Sequence, residues 1–188
     1  MQNFDQIVDP IEVICSFVKS NLIKDEISLD DSTDDLVKKF EIQKSKIDHL
    51  TLDQLYTLLP TEMWRFELYQ KHSWVFKSIE LKYLAPWYAT GDLPEEWCSM
   101  SVVDVASKIK CNPNVDSDSI RRIKVISRYP DIITSYFPPI VYQGGEIRKD
   151  LSLQVLPVDS DDGSHRSIAA ALSGKTHIPG YVGFVKVN

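Results

Sequence analysis

The amino-acid sequence predicts an α/β protein with a small mixed sheet and a helical N-terminal extension. Residues 140–142 and 151–156 are short, strand-like apolar runs separated by glycines and polar residues. Residues 167–173 are mostly small and end at Gly174, which favours a short helix, and residues 178–187 have the pattern of a final strand. Strands that enclose a helix in this order indicate an α/β unit.

The N-terminal segment carries the signals of an amphipathic helix. Asp9 is a suitable N-cap, and Pro10 suits the first helical position. Apolar residues then recur at helical spacing over residues 10–22. We therefore divide the chain into a helical N-terminal extension, residues 1–47, and a domain that contains the sheet, residues 48–188.

The middle of the chain predicts a mixture of elements. A strand is predicted at Leu50 and Leu52, and it passes into a short helix that ends at Pro60. Thr61 is the predicted cap of the helix that follows. Residues 77–98 are rich in Trp and Tyr among prolines, which favours packing in the core and loops. The alternative is that these rings form a stacking surface for a base.

A basic helix is predicted after residue 113. Residues 116–119 (Asp-Ser-Asp-Ser) offer several N-caps, and isoleucines follow at a spacing of three. The candidate nucleic-acid contacts on this segment are Arg121, Arg122, Lys124 and Arg128. Because acidic residues stand directly before them, we expect weak, salt-sensitive contact with DNA at most.

The composition is that of a folded, globular protein. Of its 188 residues, 43% are hydrophobic and 26% are charged. The net charge of −6 argues against tight, nonspecific binding of a nucleic-acid duplex by the whole surface, although it is compatible with a local basic groove. An acidic stretch at residues 24–35 indicates a solvated linker, or alternatively an acidic face for a basic partner.

The cysteines, histidines and apolar segments exclude several classes of protein. Three cysteines without a CxxC pair predict a reducing compartment and exclude a zinc ribbon, and four histidines lack the spacing of a metal site. The chain has no run of the ~18 apolar residues that a membrane span requires. Its first residues also lack the basic start of a secretory signal. We therefore expect a cytoplasmic protein without membrane insertion.

The turn at residues 162–166 (Asp-Gly-Ser-His-Arg) combines the features of an anion site. Its glycine permits a left-handed backbone, and the amides that follow are unpaired at the start of a helix. The helix dipole adds positive potential there, and His165 and Arg166 supply further donors to an anion such as a phosphate. The alternative is structural: Asp161 or Asp162 caps the helix, while the histidine packs and the arginine pairs with a surface carboxylate.

Five segments between residues 139 and 185 carry a resemblance to a known family. They are Pro139-Ile-Val-Tyr142, Asp162-Gly-Ser-His-Arg166, Ala169-Ala-Ala-Leu172, Gly174-Lys-Thr176 and Ile178-Pro-Gly-Tyr-Val-Gly183. This arrangement resembles the ParB/sulfiredoxin-like superfamily, and it implies a sheet of that type. In the superfamily the matching turn binds nucleotide phosphates, those of ATP in sulfiredoxin and in an archaeal serine kinase and those of CTP in ParB. The resemblance implies that His165 and Arg166 bind and act on nucleotide phosphates here.

A second match joins residues 50–55 to residues 60–65. It resembles the opening strand of the superfamily and the following segment, where the serine kinase carries a catalytic glutamate. The match implies that Glu62 is a catalytic base and that Arg65 contacts a phosphate or a partner. The alternative for Glu62 is an acid at a helix start beside Thr61.

The chain also departs from the best-known members of the superfamily. Ser164 stands where sulfiredoxin has its reactive cysteine, so repair of sulfinic acids is not expected. The sequence stops at Asn188 without the helix-turn-helix domain of ParB, so operator binding is not expected either. In size and fold, the expected protein is similar to plasmid fertility-inhibition proteins of the Osa type, which block conjugative or T-DNA transfer.

These observations together predict ATP binding with hydrolysis or phosphoryl transfer. Gly163 and Ser164 would supply backbone donors, and Asp162 would hold Mg²⁺ or cap the helix. Glu62 would orient the attacking water or hydroxyl. The same anion site, with a metal, would also suit nuclease cleavage of a DNA phosphodiester. The alternative function is that of a non-enzymatic inhibitor, which docks onto a component of a secretion or conjugation machine.

Overall fold

One mixed sheet organises the protein. The computed structural model describes residues 6–24, 26–28, 30–88, 90–144 and 156–185, which contain six strands in the order β1-β2-β6-β4-β5-β3. The strands are β1 (Gln6–Val8), β2 (His72–Glu80), β3 (Leu84–Ala85), β4 (Ile140–Gln143), β5 (Val158–Asp162) and β6 (His177–Val185). The predicted α/β class with a mixed sheet is therefore confirmed.

Eight α-helices accompany the sheet within these residues. They are α1 (Pro10–Ile23), α2 (Thr33–Ile47), α3 (Leu52–Leu58), α4 (Met63–Lys71), α5 (Val102–Cys111), α6 (Asp118–Ile126), α7 (Pro130–Tyr136) and α8 (Ser164–Leu172). Three short 3-10 helices cover Pro60–Glu62, Leu81–Tyr83 and Glu95–Ser99. Among the helices described, none has the length and apolar character needed to cross a membrane.

The longest pairing in the sheet joins β2 and β6 in antiparallel register, from His72 opposite Val185 to Glu80 opposite His177. Outside them, β1 pairs antiparallel with β2, and β4 pairs parallel with β6. β5 then pairs antiparallel with β4 and parallel with β3. The sequence analysis assigned no strand to residues 72–80, so it missed an inner strand of the sheet.

Two hydrophobic clusters lie on opposite faces of the sheet. Ile140 and Tyr181 belong to the cluster that contains buried residues of α1, α3 and α4. The next residues along the same strands, Val141 and Val182, belong to the cluster that contains residues of α5, α6, α7 and α8. Since successive strand residues point to opposite faces, the helices form one layer on each side of the sheet.

The first helix begins as the sequence predicts. The side chain of Asp9 accepts a hydrogen bond from the Ile11 amide at 2.8 Å, and Pro10 occupies the first turn. Val13, Ile14 and Phe17 on this helix are almost fully buried. The segment assigned to an N-terminal extension also contributes β1 to the sheet. It therefore packs as part of the same body as the residues that follow.

Two predictions around residue 55 are wrong. The strand predicted at Leu50 and Leu52 is absent, and α3 begins there instead. The cause is a capping box, in which the side chains of Thr51 and Gln54 each accept a hydrogen bond from the other residue's backbone amide. Thr61 does not cap the next helix, because it lies inside a 3-10 helix.

The strand before the turn at residues 162–166 also differs from the prediction. Residues 151–155 of the predicted strand lie outside the described residues, and Leu156 belongs to no strand. β5 instead covers five residues, Val158–Asp162, to which the sequence analysis assigned no strand. The final strand ends at Val185, and residues 186–187 of its predicted extent also lie outside the described residues.

Candidate functional site

A cavity of about 520 Å³ opens at the N-terminus of α8. Its walls come from the end of α1, the loop after β3, helices α6 and α7, and the turn between β5 and α8. The lining residues are Ser20, Asn21, Ile23, Lys24, Ile27, Trp87, Thr90, Gly91, Asp118, Arg121, Arg122, Val125, Ile126, Ile133, Phe137, Asp161, Asp162, Gly163, Ser164, His165 and Arg166. A volume of this order is typical of small-molecule sites.

Gly163 makes the turn that starts α8. Its φ of 95° is in the left-handed region, and a Cβ there would lie 2.8 Å from the Cβ of Pro139. The first amide bonded back along the helix is that of Ser167, which donates to the Gly163 carbonyl at 2.9 Å. No side chain of the described residues caps α8. The amides before Ser167 therefore have no intrahelical partner, as the anion-site interpretation requires.

His165 and Arg166 follow this turn, and both line the cavity. His165 Nε2 and Arg166 Nε are buried and have no hydrogen-bond partner among the described residues. Burial, together with the nearby positive charges of Arg122 and Arg166, lowers the pKa of His165 to about 4. His165 is therefore a neutral imidazole at pH 7, so it offers a ligand a hydrogen bond but no charge.

Asp162 is bound to its neighbours rather than to the helix end. Its Oδ2 accepts hydrogen bonds from Arg166 Nη2 at 2.8 Å and from Ser20 Oγ at 2.7 Å. Burial alone would raise the pKa of Asp162, but the Arg166 charge and these two hydrogen bonds outweigh it and lower the pKa. The prediction that Asp161 or Asp162 caps α8 is therefore wrong.

Metal binding at Asp162 would need ligands beyond those that this part of the fold supplies. Among the described residues, no group of three or more His, Cys, Asp or Glu side chains is arranged to hold a metal ion. Asp162 and Asp161 both line the cavity, but each carboxylate is already engaged by an arginine. Mg²⁺ binds by preference through one or two carboxylates together with substrate phosphates, so Asp162 fits such an ion only with a bound nucleotide.

Glu62 and Arg65 do not line the cavity, although Arg65 pairs with Asp161, which does. Arg65 Nε is 3.0 Å from Asp161 Oδ2, and Arg65 Nη1 is 2.7 Å from Glu62 Oε2. Asp161 also accepts a short hydrogen bond from the Tyr69 hydroxyl, and its side chain is fully buried. The sequence predicted catalysis by Glu62 and phosphate contact by Arg65, but the structure brings neither residue to the cavity lining.

The Arg65 guanidinium is held by aromatic rings as well as by carboxylates. Its central carbon lies 4.7 Å from the ring of Trp64, 5.1 Å from that of Phe17 and 5.6 Å from that of Trp87. Such contacts between a cation and a ring stabilise a charge that is withdrawn from water. Arg65 therefore holds β5, through Asp161, and the loop after β3, through Trp87, without lining the cavity. To contact a phosphate in the cavity, Arg65 would have to leave Asp161 and the aromatic rings.

The fold divides the basic cluster at residues 121–128, and Arg128 lies beyond the end of α6 at Ile126. Arg121 and Arg122 line the cavity, whereas Lys124 and Arg128 are exposed and do not. Arg121 forms ion pairs with Asp116, at 2.7 Å, and with Asp118. Two of the four predicted DNA-contact residues therefore line the same cavity as the turn at residues 162–166. The sequence alone did not connect α6 with this turn.

The loop after β3 supplies cavity residues that the sequence analysis did not single out. The Trp87 amide donates to Ser164 Oγ at 2.8 Å, so the loop is attached to the start of α8. At its other end, the Asp92 carboxylate accepts from the amides of Asp118 and Ser119 at 2.9 Å each. Within the aromatic segment, Trp97 is in the core, as the packing interpretation expects, whereas Trp87 lines the cavity.

Comparisons of the chain with models of protein families, with curated proteins and with solved structures identify no match. The resemblance of residues 139–185 to the ParB/sulfiredoxin-like superfamily therefore stays a prediction. What the structure adds is the geometry of the turn that carries the resemblance. An uncapped helix N-terminus, the Arg122 and Arg166 side chains and the neutral imidazole of His165 meet in one cavity.

Proposed function

We propose that the protein binds a nucleotide through a phosphate held at the N-terminus of α8. The observation that carries the proposal is the set of donors around this helix end, where two buried side-chain nitrogens, on His165 and Arg166, lack a partner among the described residues. Buried polar atoms without partners are costly, and a bound oxyanion would satisfy them. Arg122 adds positive charge from α6.

The rest of the lining supports a ligand with an apolar body. Ile126, Ile133 and Phe137 are buried and line the cavity together with the half-buried ring of Trp87. A nucleotide combines a charged phosphate with a flat base that packs on such surfaces. Binding of inorganic phosphate alone would leave this apolar wall without a role.

Any hydrolysis or phosphoryl transfer in this cavity would use a base other than Glu62. His165 is neutral at pH 7 and lines the cavity, so it can accept a proton, but only at a ring nitrogen that does not donate to the phosphate. Its low pKa makes it a weak base. We therefore propose nucleotide binding as the primary activity and assign any slow turnover to His165.

Calorimetric titration of the purified protein with ATP and with AMP tests the proposal. Arg166→Ala should weaken binding roughly ten- to a hundredfold, because a charge-assisted hydrogen bond contributes about 1.5–3 kcal/mol. Lys124→Ala is the matched control, since Lys124 is exposed on α6 and does not line the cavity. Unchanged affinity in Arg166→Ala, or no binding by the wild-type protein, would refute the proposal.

A second candidate function, docking onto a protein of a transfer machine, has its own support. Three large apolar side chains near the junction of α3 and α4 are exposed, namely Leu58 (38%), Met63 (42%) and Trp64 (52%). Clustered apolar side chains at a surface mark candidate interaction sites. They lie outside the cavity lining, so the two functions can be separated by mutation.

The two candidates predict opposite results in one assay. Conjugation frequency would be measured from donor cells that express the wild-type protein, a Met63→Ser/Trp64→Ser variant or Arg166→Ala. Loss of inhibition only in the surface variant supports docking, whereas loss only in Arg166→Ala supports a role for the nucleotide. A wild-type protein that does not reduce transfer excludes inhibition of this system.

A further inference from the structure

We propose that Ser20 of α1 is a positioning residue for the nucleotide site, and that it acts on Arg166 through Asp162. The inference rests on the proposed function, because Arg166 is the side chain expected to donate to the phosphate. It gives a part in ligand binding to a residue of the segment 1–47, which the sequence analysis set apart as an N-terminal extension.

A single carboxylate oxygen joins these three side chains. Asp162 Oδ2 accepts a hydrogen bond from Ser20 Oγ at 2.7 Å and another from Arg166 Nη2 at 2.8 Å. Among the side chains described, only these two donate to the Asp162 carboxylate. Arg65 attracts the carboxylate by its charge but, in the described part of the chain, makes no hydrogen bond to it. Ser20 is therefore the neutral donor that shares this oxygen with Arg166.

The Ser20 hydroxyl has one proton and two acceptors within reach, namely Asp162 Oδ2 and the Phe17 carbonyl at 3.0 Å. The carboxylate is closer and charged, so it is the stronger acceptor. The Phe17 carbonyl also accepts a hydrogen bond from the Asn21 side chain at 3.0 Å, so it does not depend on Ser20. We therefore assign the hydroxyl proton to the bond with Asp162.

Packing in the core holds Ser20 in place. Ser20 is 3% exposed, and the neighbouring Phe17 and Val18 on the same helix are buried. The Phe17 ring meets the rings of Phe66 and Tyr69 edge to face, with centroids 5.9 and 5.8 Å away. A donor on such a closely packed helix restricts the position of the carboxylate oxygen that it binds.

The Asp162 carboxylate in turn orients the Arg166 guanidinium. Nη2 of Arg166 is bound to the carboxylate, while Nε is buried without a partner among the described residues. The guanidinium lies against the turn, because a Cβ built at Gly163 would be 2.8 Å from Nη2. Since the guanidinium is planar, fixing Nη2 restricts the direction in which the remaining N–H groups donate to a phosphate at the N-terminus of α8.

Loss of the Ser20 hydroxyl should weaken phosphate binding for two reasons. The hydrogen bonds to the carboxylate oxygen would then come from Arg166 alone, so Asp162 would compete more strongly with a phosphate for that side chain. Asp162 would also lose one of its two hydrogen-bond donors, so Arg166 would occupy a wider range of orientations. Both effects lower the affinity for the ligand.

Calorimetric titration of Ser20→Ala with AMP and with ATP tests the inference. This variant should bind the nucleotide about three- to tenfold more weakly than wild type, because the change alters how Arg166 is held but leaves it in place. Ser20→Thr keeps the hydroxyl and should restore most of the affinity. Ser16→Ala is the matched control with unchanged affinity, because Ser16 is also 3% exposed on α1 but does not line the cavity.

A double-mutant cycle separates positioning from direct contact with the ligand. In the Arg166→Ala background, Ser20→Ala should cause little further loss of affinity, because the side chain that Ser20 positions is absent. Equal losses in the wild-type and Arg166→Ala backgrounds would show that Ser20 contacts the ligand itself or only supports the fold. Either result would overturn the inference.

The remaining outcomes distinguish this inference from the function on which it rests. Wild-type affinity in Ser20→Ala, or no recovery in a folded Ser20→Thr, overturns the positioning role but leaves nucleotide binding in place. An equal loss in Ser16→Ala assigns the effect to the packing of α1 and also overturns the role. Should Ser20→Ala unfold, Ser20→Cys replaces it, because a thiol is a weaker donor, and unchanged affinity then decides against the inference. No binding of AMP or ATP by the wild-type protein refutes the proposed function itself.

Discussion

Replacement of His165 by glutamine should make the fold less sensitive to acid. In the folded chain, burial and the charges of Arg122 and Arg166 lower the pKa of His165 from 6.5 to about 4. Between these two values the unfolded chain binds a proton at this residue and the folded chain does not. Acidification from pH 7.5 to 4.5 therefore favours unfolding of the wild-type protein. Glutamine does not titrate, so the variant lacks this contribution.

The size of the effect follows from the two pKa values. Each unit of difference is worth about 1.36 kcal/mol, so at pH 4.5 the wild-type protein should have lost about 2.5 kcal/mol through His165. Carboxylates also titrate in this range, but they do so equally in the variant. The prediction is therefore that wild type loses about 2.5 kcal/mol more than His165→Gln between the two pH values.

Urea denaturation followed by circular dichroism at pH 7.5 and pH 4.5 gives the required free energies of unfolding. His49→Gln serves as the control, because His49 is exposed, and this variant should lose as much stability as wild type. Equal losses in wild type and His165→Gln would show that the folded chain protonates His165 readily. The imidazole would then titrate near its ordinary pKa of 6.5, and a ligand in the cavity would meet a charged ring in mild acid.

Two further substitutions test the structure around the cavity. Gly163→Ala should destabilise the fold by more than Gly174→Ala, whose cost should be about 1–2 kcal/mol for the left-handed backbone alone. Both glycines have positive φ, but only a Cβ at position 163 would meet Pro139. Equal denaturant midpoints for the two variants would contradict the prediction that Gly163→Ala is the more destabilising change. Arg65→Met should cost about 3–5 kcal/mol, because it leaves the buried Asp161 carboxyl without its ion-pair partner. A second change, Asp161→Asn, should restore much of that loss in the same unfolding assay.

The elements that the sequence predicted correctly are those whose causes are local. Asp9 and Pro10 start α1, and Ser117 caps α6, as their spacing indicates. β2 was missed because only two of its nine residues, Trp74 and Ile79, are buried, so it shows no alternation of apolar and polar residues. Its place in the sheet depends on β1 and β6, which are distant in the sequence.

β5 and the cavity could not be predicted for a related reason. A segment with three aspartates among five residues has the composition of a turn, but Asp161 is satisfied in the sheet by Arg65, 96 residues away. The turn at residues 162–166 was recognisable as the start of a helix, because its glycine and the residues of the helix that follow are contiguous in the sequence. The contribution of Arg122 required knowledge of how α6 packs, and no short sequence pattern carries that information.

The hydrogen bond between Ser20 and Asp162 has a consequence for folding kinetics. It joins residues 142 positions apart, and most of the remaining cavity lining comes from segments between them. Contacts of such high sequence separation form slowly, because a long loop must close before they contribute. During synthesis, the Ser20–Asp162 hydrogen bond of α1 can form only after nearly the whole chain has been made. Recovery of nucleotide binding should therefore lag behind the return of helical signal when the denatured protein refolds.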